Sequence, residues 1–193
     1  MKKYSADQAL NRVFDKIGFS GLDPECKVYE ECRFSHCNFS NASLSGLTFR
    51  SCRFEACDMS LARLSNTSLQ EVRFLNCKLL GVQFSECRKL LLRLDFEHCM
   101  LKISLFSNLN LKNTHFTGCD IQEADFTGAD LSGALFDNCD LLQAIFFHTN
   151  LEKADLRSAF NYSINPETNR LGKARFTLPG VTGLLDIYDI EIE

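Results

Sequence analysis

The sequence predicts an all-β solenoid, and three observations carry that prediction. The run from Ala124 to Gly133, ADFTGADLSG, repeats a small residue, an acid and a large apolar residue every five positions. A period of five matches neither a helix at about 3.6 nor a strand at about 2, so the chain is a repeat before it is a set of helices or strands. Apolar centres twenty residues apart share a side-chain class, and cysteines recur at the same interval.

Residues 1–24 lie outside the repeat and are expected to cap it. Ser5 with Gln8 has capping-box spacing, and Val13, Phe14 and Ile17 fall on one helical face that ends near Gly18 and Gly21. The repeat is expected over residues 25–160. Its centres begin at Tyr29, Phe34, Phe39, Leu44, Phe49 and Phe54, each preceded two positions earlier by a small or modest residue such as Cys32, Cys37 or Ala42.

The phase shifts once. Phe84 and Leu91 are seven apart instead of five, which places two extra residues within 85–90 as a bulge at a corner. With that correction one wall reads Phe34, Phe54, Phe74, Phe96, Phe116, Phe136 and another Tyr29, Phe49, Leu69, Leu91, Leu111, Leu131. Such stacking gives about six to seven coils spaced about 4.8 Å apart. Cys37, Cys57, Cys77, Cys99, Cys119 and Cys139 all occupy the small inward position of one wall. Thiols in such parallel array are core groups, since a disulfide needs converging Cβ atoms. Beyond Asn161 the period stops. Pro179 at a first turn, then Val181, Leu184, Leu185 and Tyr188 at helical spacing, predict an amphipathic helix that makes 161–193 a C-terminal cap and a dimerisation segment.

These features resemble the pentapeptide-repeat family, whose unit is written A(D/N)Lxx. The INPETN and LPGVTGLL phrases are similar to the tail of a subgroup that includes Qnr-type quinolone-resistance and microcin-immunity proteins. The resemblance implies a right-handed quadrilateral β-helix, a two-fold homodimer through the C-terminal segment, and no enzymatic activity. Some members of the family imitate DNA in the binding saddle of type II topoisomerases, so DNA gyrase or topoisomerase IV is the implied partner. Qnr-type proteins carry a long projecting loop, whereas this chain has two extra residues near Arg88 and Lys89.

Composition and motifs narrow the function classes. A formal charge of -4 over 193 residues does not suit direct nucleic-acid binding. The start carries no apolar run of signal-peptide length and no later stretch has the length of a span, so a cytoplasmic, membrane-free protein is expected. The cysteines lack zinc spacing, Asp95 and His115 have no accompanying nucleophile, and neither metal, cofactor nor catalytic residues are expected.

Two surfaces remain as candidates for binding. From Asn113 to Leu151 there is no Lys or Arg, while Asp120, Glu123, Asp125, Asp130, Asp137 and Asp140 should face outward as an acidic surface. Leu80, Leu90, Leu92, Met100, Ile103 and Leu105 should also face outward and form an apolar surface suited to a protein scaffold. The sequence therefore points to a non-enzymatic macromolecular-binding protein, a DNA mimic by its acids or a scaffold by its mid-coil leucines.

Overall fold

A chain that buries a central side chain in every five and turns at every corner makes strands too short to stand alone, so each must be held by the coils beside it. The computed structural model describes residues 7–23, 25–188 and 190–191. Its strands, in chain order, are β1 (Gln8–Leu10), β2 (Val13–Asp15), β3 (Val28–Glu30), β4 (Arg33–Ser35), β5 (Thr48–Arg50) and β6 (Arg53–Glu55). They continue as β7 (Ser68–Gln70), β8 (Val72–Leu75), β9 (Leu94–Glu97), β10 (His115–Thr117) and β11 (Leu135–Asp137). β1, β3, β5 and β7 make a four-stranded sheet, and β2, β4, β6, β8, β9, β10 and β11 a seven-stranded one. Every pairing is parallel and joins a strand to the next coil. The other two walls are held by single bridges, such as Asn38 to Asp58 to Lys78 to Met100 to Asp120 to Asp140. The molecule is a parallel β-solenoid.

The register follows the columns. Phe34 faces Phe54, Phe54 faces Phe74, and Phe74 faces Phe96 across the inserted residues. Their rings stack face to face at centroid distances of 4.6, 5.2 and 5.3 Å. A second stack, Phe84, Phe106 and Phe126, meets the first edge-on, the arrangement that the ring quadrupole favours. All six cysteines of the expected column are buried in the core. The Sγ of Cys57, Cys77 and Cys99 each donates at 3.4 Å to a backbone carbonyl one coil earlier, on Phe34, Phe54 and Phe74. The Thr67 and Ser104 hydroxyls make the same bond at 2.9 and 2.8 Å. The inward small position thus holds a thiol or hydroxyl that bonds to this carbonyl, or an alanine such as Ala62 or Ala124 that does not. Burial pushes the Cys87 thiol up to about 12.

Corners are turned by a residue with positive φ two positions after the centre, as at Asn41, Asn66, Asn108 and Asn113. Asn tolerates the left-handed region better than most residues.

Four expectations are corrected. The helix expected from Val13, Phe14 and Ile17 does not form; β1 and β2 pair with β3 and β4, and Phe14 stacks on Phe34 at 4.8 Å. The five-residue spacing from Ala9 to Phe14 repeats that from Tyr29 to Phe34, so a coil already formed templates this segment, whereas so short a helix has little stability of its own. Ser5 lies outside the described residues. The C-terminal amphipathic helix is instead two 3-10 turns, Pro179–Leu184 and Asp186–Tyr188. Gly180 and Gly183 lie against Tyr162: a Cβ on Gly183 would sit 2.2 Å from the Tyr162 carbonyl oxygen. Close packing of the backbone on that ring, with the Ile164 N–H donating to the Gly183 carbonyl at 2.8 Å, favours tight turns over an α-helix. Phe84–Glu86 forms a 3-10 turn, Cys87 is buried, and Arg88 still donates its N–H to the Thr67 carbonyl in the regular register, so the extra residues enter after Arg88. Leu91, expected in a core column, is 67% exposed, while Leu92, expected outside, packs against the core.

Beyond residue 160 bridges continue the ladder from Asn150 to Arg170 and from Asp155 to Arg175. Leu171 and Phe176 pack against the core there.

Candidate interaction surfaces

Four of the acids owe their positions to turn geometry. In each case the carboxylate stands just before the central apolar residue, and its Oδ1 accepts the N–H two residues on. Asp120 takes that of Gln122, Asp125 that of Thr127 at 2.8 Å, Asp130 that of Ser132 and Asp140 that of Leu142 at 3.1 Å. Asn38, Asn110 and Asn150 do the same for Ser40, Lys112 and Glu152. Where the position holds an Asx residue the turn uses its side-chain oxygen and not its charge, and Lys78, Met100, Leu105 and Ile145 fill the same position without one.

Of the six acids, Asp120 and Asp140 are brought together as bridged neighbours on successive coils. Asp125 and Asp130 bridge along the two following walls, to Leu105 and Ile145 and to Asn110 and Asn150. Asp137 lies in β11, where its Oδ1 accepts the Ser158 hydroxyl at 2.8 Å. Glu123 is exposed at a positive-φ corner. The acids thus ring the rod and do not form one face. Two cations from the preceding coil reach into the set: Lys102 Nζ lies 3.2 Å from Asp120 and Lys112 Nζ 3.3 Å from Asp130. The twenty-residue register, applied to Lys102 and Lys112 as to the acids, signals both. Burial pushes Asp130 upward, but hydrogen bonds from Ser132 and the Lys112 ammonium outweigh it and hold the carboxyl below its ordinary range. Asp140 is held low in the same way, with burial opposed by Asn161, Gln122 and the Leu142 N–H.

The apolar candidates divide. Leu80, Met100 and Ile103 are 37, 43 and 44% exposed, and Leu105 is half-buried. The period alone did not single out Leu61, 52% exposed, which belongs with them. Leu61 and Ile103 both hold positive φ and flank Gly81, where an added Cβ would lie 2.8 Å from Leu61 Cδ2 and 3.6 Å from Ile103 Cδ1. Leu90, 77% exposed, sits beside Leu91 at the inserted corner. At the C-terminus Leu184 packs against the core, whereas Val181 and Tyr188 are exposed and Leu185 is half-buried.

A basic ladder stands on the seven-stranded sheet, where Arg33, Arg53 and Arg73 are paired in register. Above it the Asp95 carboxylate accepts the backbone N–H of His115 at 3.2 Å, a bond that ties two coils together. Among the described residues no group of three His, Cys, Asp or Glu side chains is placed to hold a metal ion, and no helix is long and apolar enough to cross a membrane.

No curated sequence matches the chain. Among solved structures it is similar to a trypsin-treated variant of QnrB1, a plasmid-mediated fluoroquinolone resistance protein. The TM-score is 0.62 at 18% identity, covering 98% of this chain and 100% of that one. It is also similar to HetL, a pentapeptide-repeat protein involved in heterocyst differentiation regulation in the cyanobacterium Nostoc. There the TM-score is 0.51 at 17% identity, covering 86% of this chain and 84% of that one. At such identities the likeness is one of fold. A family model described as a pentapeptide repeat region matches residues 28–93, and one described as pentapeptide repeats (8 copies) matches 93–133 and 124–160. With its registered phenylalanine columns, its Asx-capped corners and these matches over most of its length, the chain belongs to the pentapeptide-repeat family.

Proposed function

We propose that the protein is a non-enzymatic binding rod whose acidic C-terminal half is taken by a DNA-binding protein in place of DNA, with a type II topoisomerase, DNA gyrase or topoisomerase IV, as the partner. One observation carries this reading. Asn38, Asn110 and Asn150 cap the same turn as Asp120, Asp125, Asp130 and Asp140, so folding does not demand the charge at those corners. Carboxylates around a narrow rod, in a stretch without Lys or Arg from Asn113 to Leu151, offer a basic phosphate-binding groove a matching potential. The fold likeness to QnrB1 supports choosing a topoisomerase as the first target. The exposed Val181 and Tyr188 beside Leu185 support a homodimer seam at the C-terminal turns.

The test is a gyrase supercoiling assay across a salt series. Micromolar protein is expected to inhibit, less so as salt rises, since paired charges are screened. Asp120→Asn, Asp125→Asn, Asp137→Asn and Asp140→Asn combined should keep the fold and raise the inhibitory concentration by about tenfold or more. Equal potency of that variant, or no inhibition by the native protein, defeats the proposal. A scaffold role is favoured by a separate observation, the apolar corner of Leu61, Leu80 and Ile103; loss of partner binding on Met100→Lys with the aspartates intact would assign function there.

A further inference from the structure

The first coil does not keep the period all the way round. Five-residue spacing carries Phe14 to Phe19, and Gly18 bridges Asn38 one coil on. There the chain departs: Phe19–Gly21 forms a 3-10 turn, Phe19 is 42% exposed and Leu22 turns into the core. Pairing with the second coil resumes only at Val28 with Thr48. Between them Ser43 bridges forward to Arg63 and has no bridge behind it among the described residues. A cavity of about 290 Å3 lies between these segments, with Phe19, Leu22, Leu47 and Tyr29 in its apolar lining.

One polar group there is unspent. Tyr29 is 1% exposed, and its hydroxyl is buried with no hydrogen-bond partner among the described residues. The ring is not free to seek one, because it stacks on Phe49 at 5.2 Å and meets Phe14 and Phe34 edge-on. Burial first, then Cys26 and Asp23 beside it, raise the phenol above its ordinary pKa, so it keeps its proton as a donor. Both neighbours line the cavity, which places the hydroxyl end of the ring there. Three other lining groups are engaged. Cys26 Sγ donates to the Val28 carbonyl at 3.4 Å, the Ser43 hydroxyl to that of Ser45 at 3.0 Å, and Asp23 Oδ1 accepts the Glu25 N–H at 3.0 Å. A buried donor left unpaired costs stability, and Phe49, its partner in the ladder, shows that the column accepts a ring without one.

We propose that the cavity binds a small neutral ring compound carrying a ketone or ester oxygen, which accepts a hydrogen bond from the Tyr29 hydroxyl. Size sets the ring: an apolar cavity of about 150 Å3 holds benzene, so this one has room for a ring and a short substituent. Charge sets the neutrality. Asp23 and Lys27 line the cavity with opposite signs, and a carboxylate would leave water only to lie near Asp23. Apolar walls with one placed polar group are the usual form of a small-molecule site. The cavity lies on the first coil, apart from the acidic ring and the C-terminal turns, so its outcome is separate from theirs.

The test is calorimetric titration of the full chain with acetophenone, and with α-methylstyrene, which has the same shape and no acceptor. The native protein should bind acetophenone at millimolar concentration or below, and about tenfold more tightly than α-methylstyrene, as one buried hydrogen bond predicts. Tyr29→Phe removes the hydroxyl alone and should bind the two probes alike. Without probe its melting temperature should equal or exceed that of the native protein, since an unpaired buried donor is gone. No binding of acetophenone by the native protein, equal affinity for the two probes, or discrimination retained in Tyr29→Phe overturns the proposal. A lower melting temperature for Tyr29→Phe overturns it as well, because the hydroxyl would then already have a partner in the free protein.

Discussion

Ile103 occupies an uncomfortable place. It is β-branched, holds φ of 51° and leaves 44% of its surface in water, at a corner position that other repeats fill with Asn66, Asn108 or Gly128. The left-handed conformation costs an ordinary residue about 1 kcal/mol or more. Ile103→Asn should therefore raise stability by about 1 kcal/mol in thermal or urea unfolding, and a loss of stability would show that the packing of Ile103 beside Gly81 outweighs the strain. The capping aspartates carry a second residue-scale expectation. Asp130, Asp140 and Asp155 have folded pKa values below the ordinary carboxylate range; for Asp155 the hydrogen bond from Arg157 is the first cause. A carboxylate lowered by folding stabilises the native state above its unfolded pKa of about 3.9 and ceases to do so as pH falls through the folded value. Melting temperature should hold near neutral pH and decline below about pH 4. Replacing the three with Asn should flatten that decline, and an unchanged acid slope would place its origin elsewhere.

The coil is the element that matters, and its stability is lateral. Phe96 and Phe116 are 1 and 0% exposed and stack at 5.2 Å with rings 7° from parallel. Phe96→Ala removes a ring from the middle of that stack, where neighbouring coils cannot close the void, and should cost about 3 to 5 kcal/mol. A shift of only a degree or two in the melt would contradict the packing. The C-terminal turns are a weaker element with a single critical point. Gly183→Ala would drive a Cβ into the Tyr162 carbonyl. The result should be a cap that lifts, read as faster amide exchange at Ile164, whose N–H bonds to Gly183, with a smaller change in the strands.

At the scale of the whole molecule the solenoid is nearly one-dimensional, and each coil needs only its neighbours. Deleting Lys112 to Leu131 joins Leu111 to Ser132 in the same phase and removes one turn of twenty residues. The shortened chain should fold cooperatively with a modest loss of stability. Deleting only Lys112 to Phe116 would bring Ile121 into the phenylalanine column and set every later wall one step out of place, and that chain should unfold or aggregate. Two soluble, equally stable products would show that columns do not set the register. The rod also separates its surfaces: the ladder of Arg33, Arg53 and Arg73 on the seven-stranded sheet and a ring of carboxylates farther on.

The solenoid, the inward columns and the position of the capping acids are all legible in the letters. Burial imposes a demand at every fifth residue, and such a demand leaves a period that can be read without coordinates. Where the period breaks, at 84–94 and after 160, apolar letters alone did not say which leucine turned in. Leu91 and Leu92 exchanged places because the two extra residues enter after Arg88, whose N–H still bonds to the Thr67 carbonyl in the regular register, so the phase changes only at the leucines. Val13, Phe14 and Ile17 resemble a helical face until the coil beside them is known, and that coil makes a strand of the segment. The placement of Leu61 and Ile103 on either side of Gly81 is set by contacts between coils. Those contacts depend on register and corner geometry together, and they exist only once the coils have stacked.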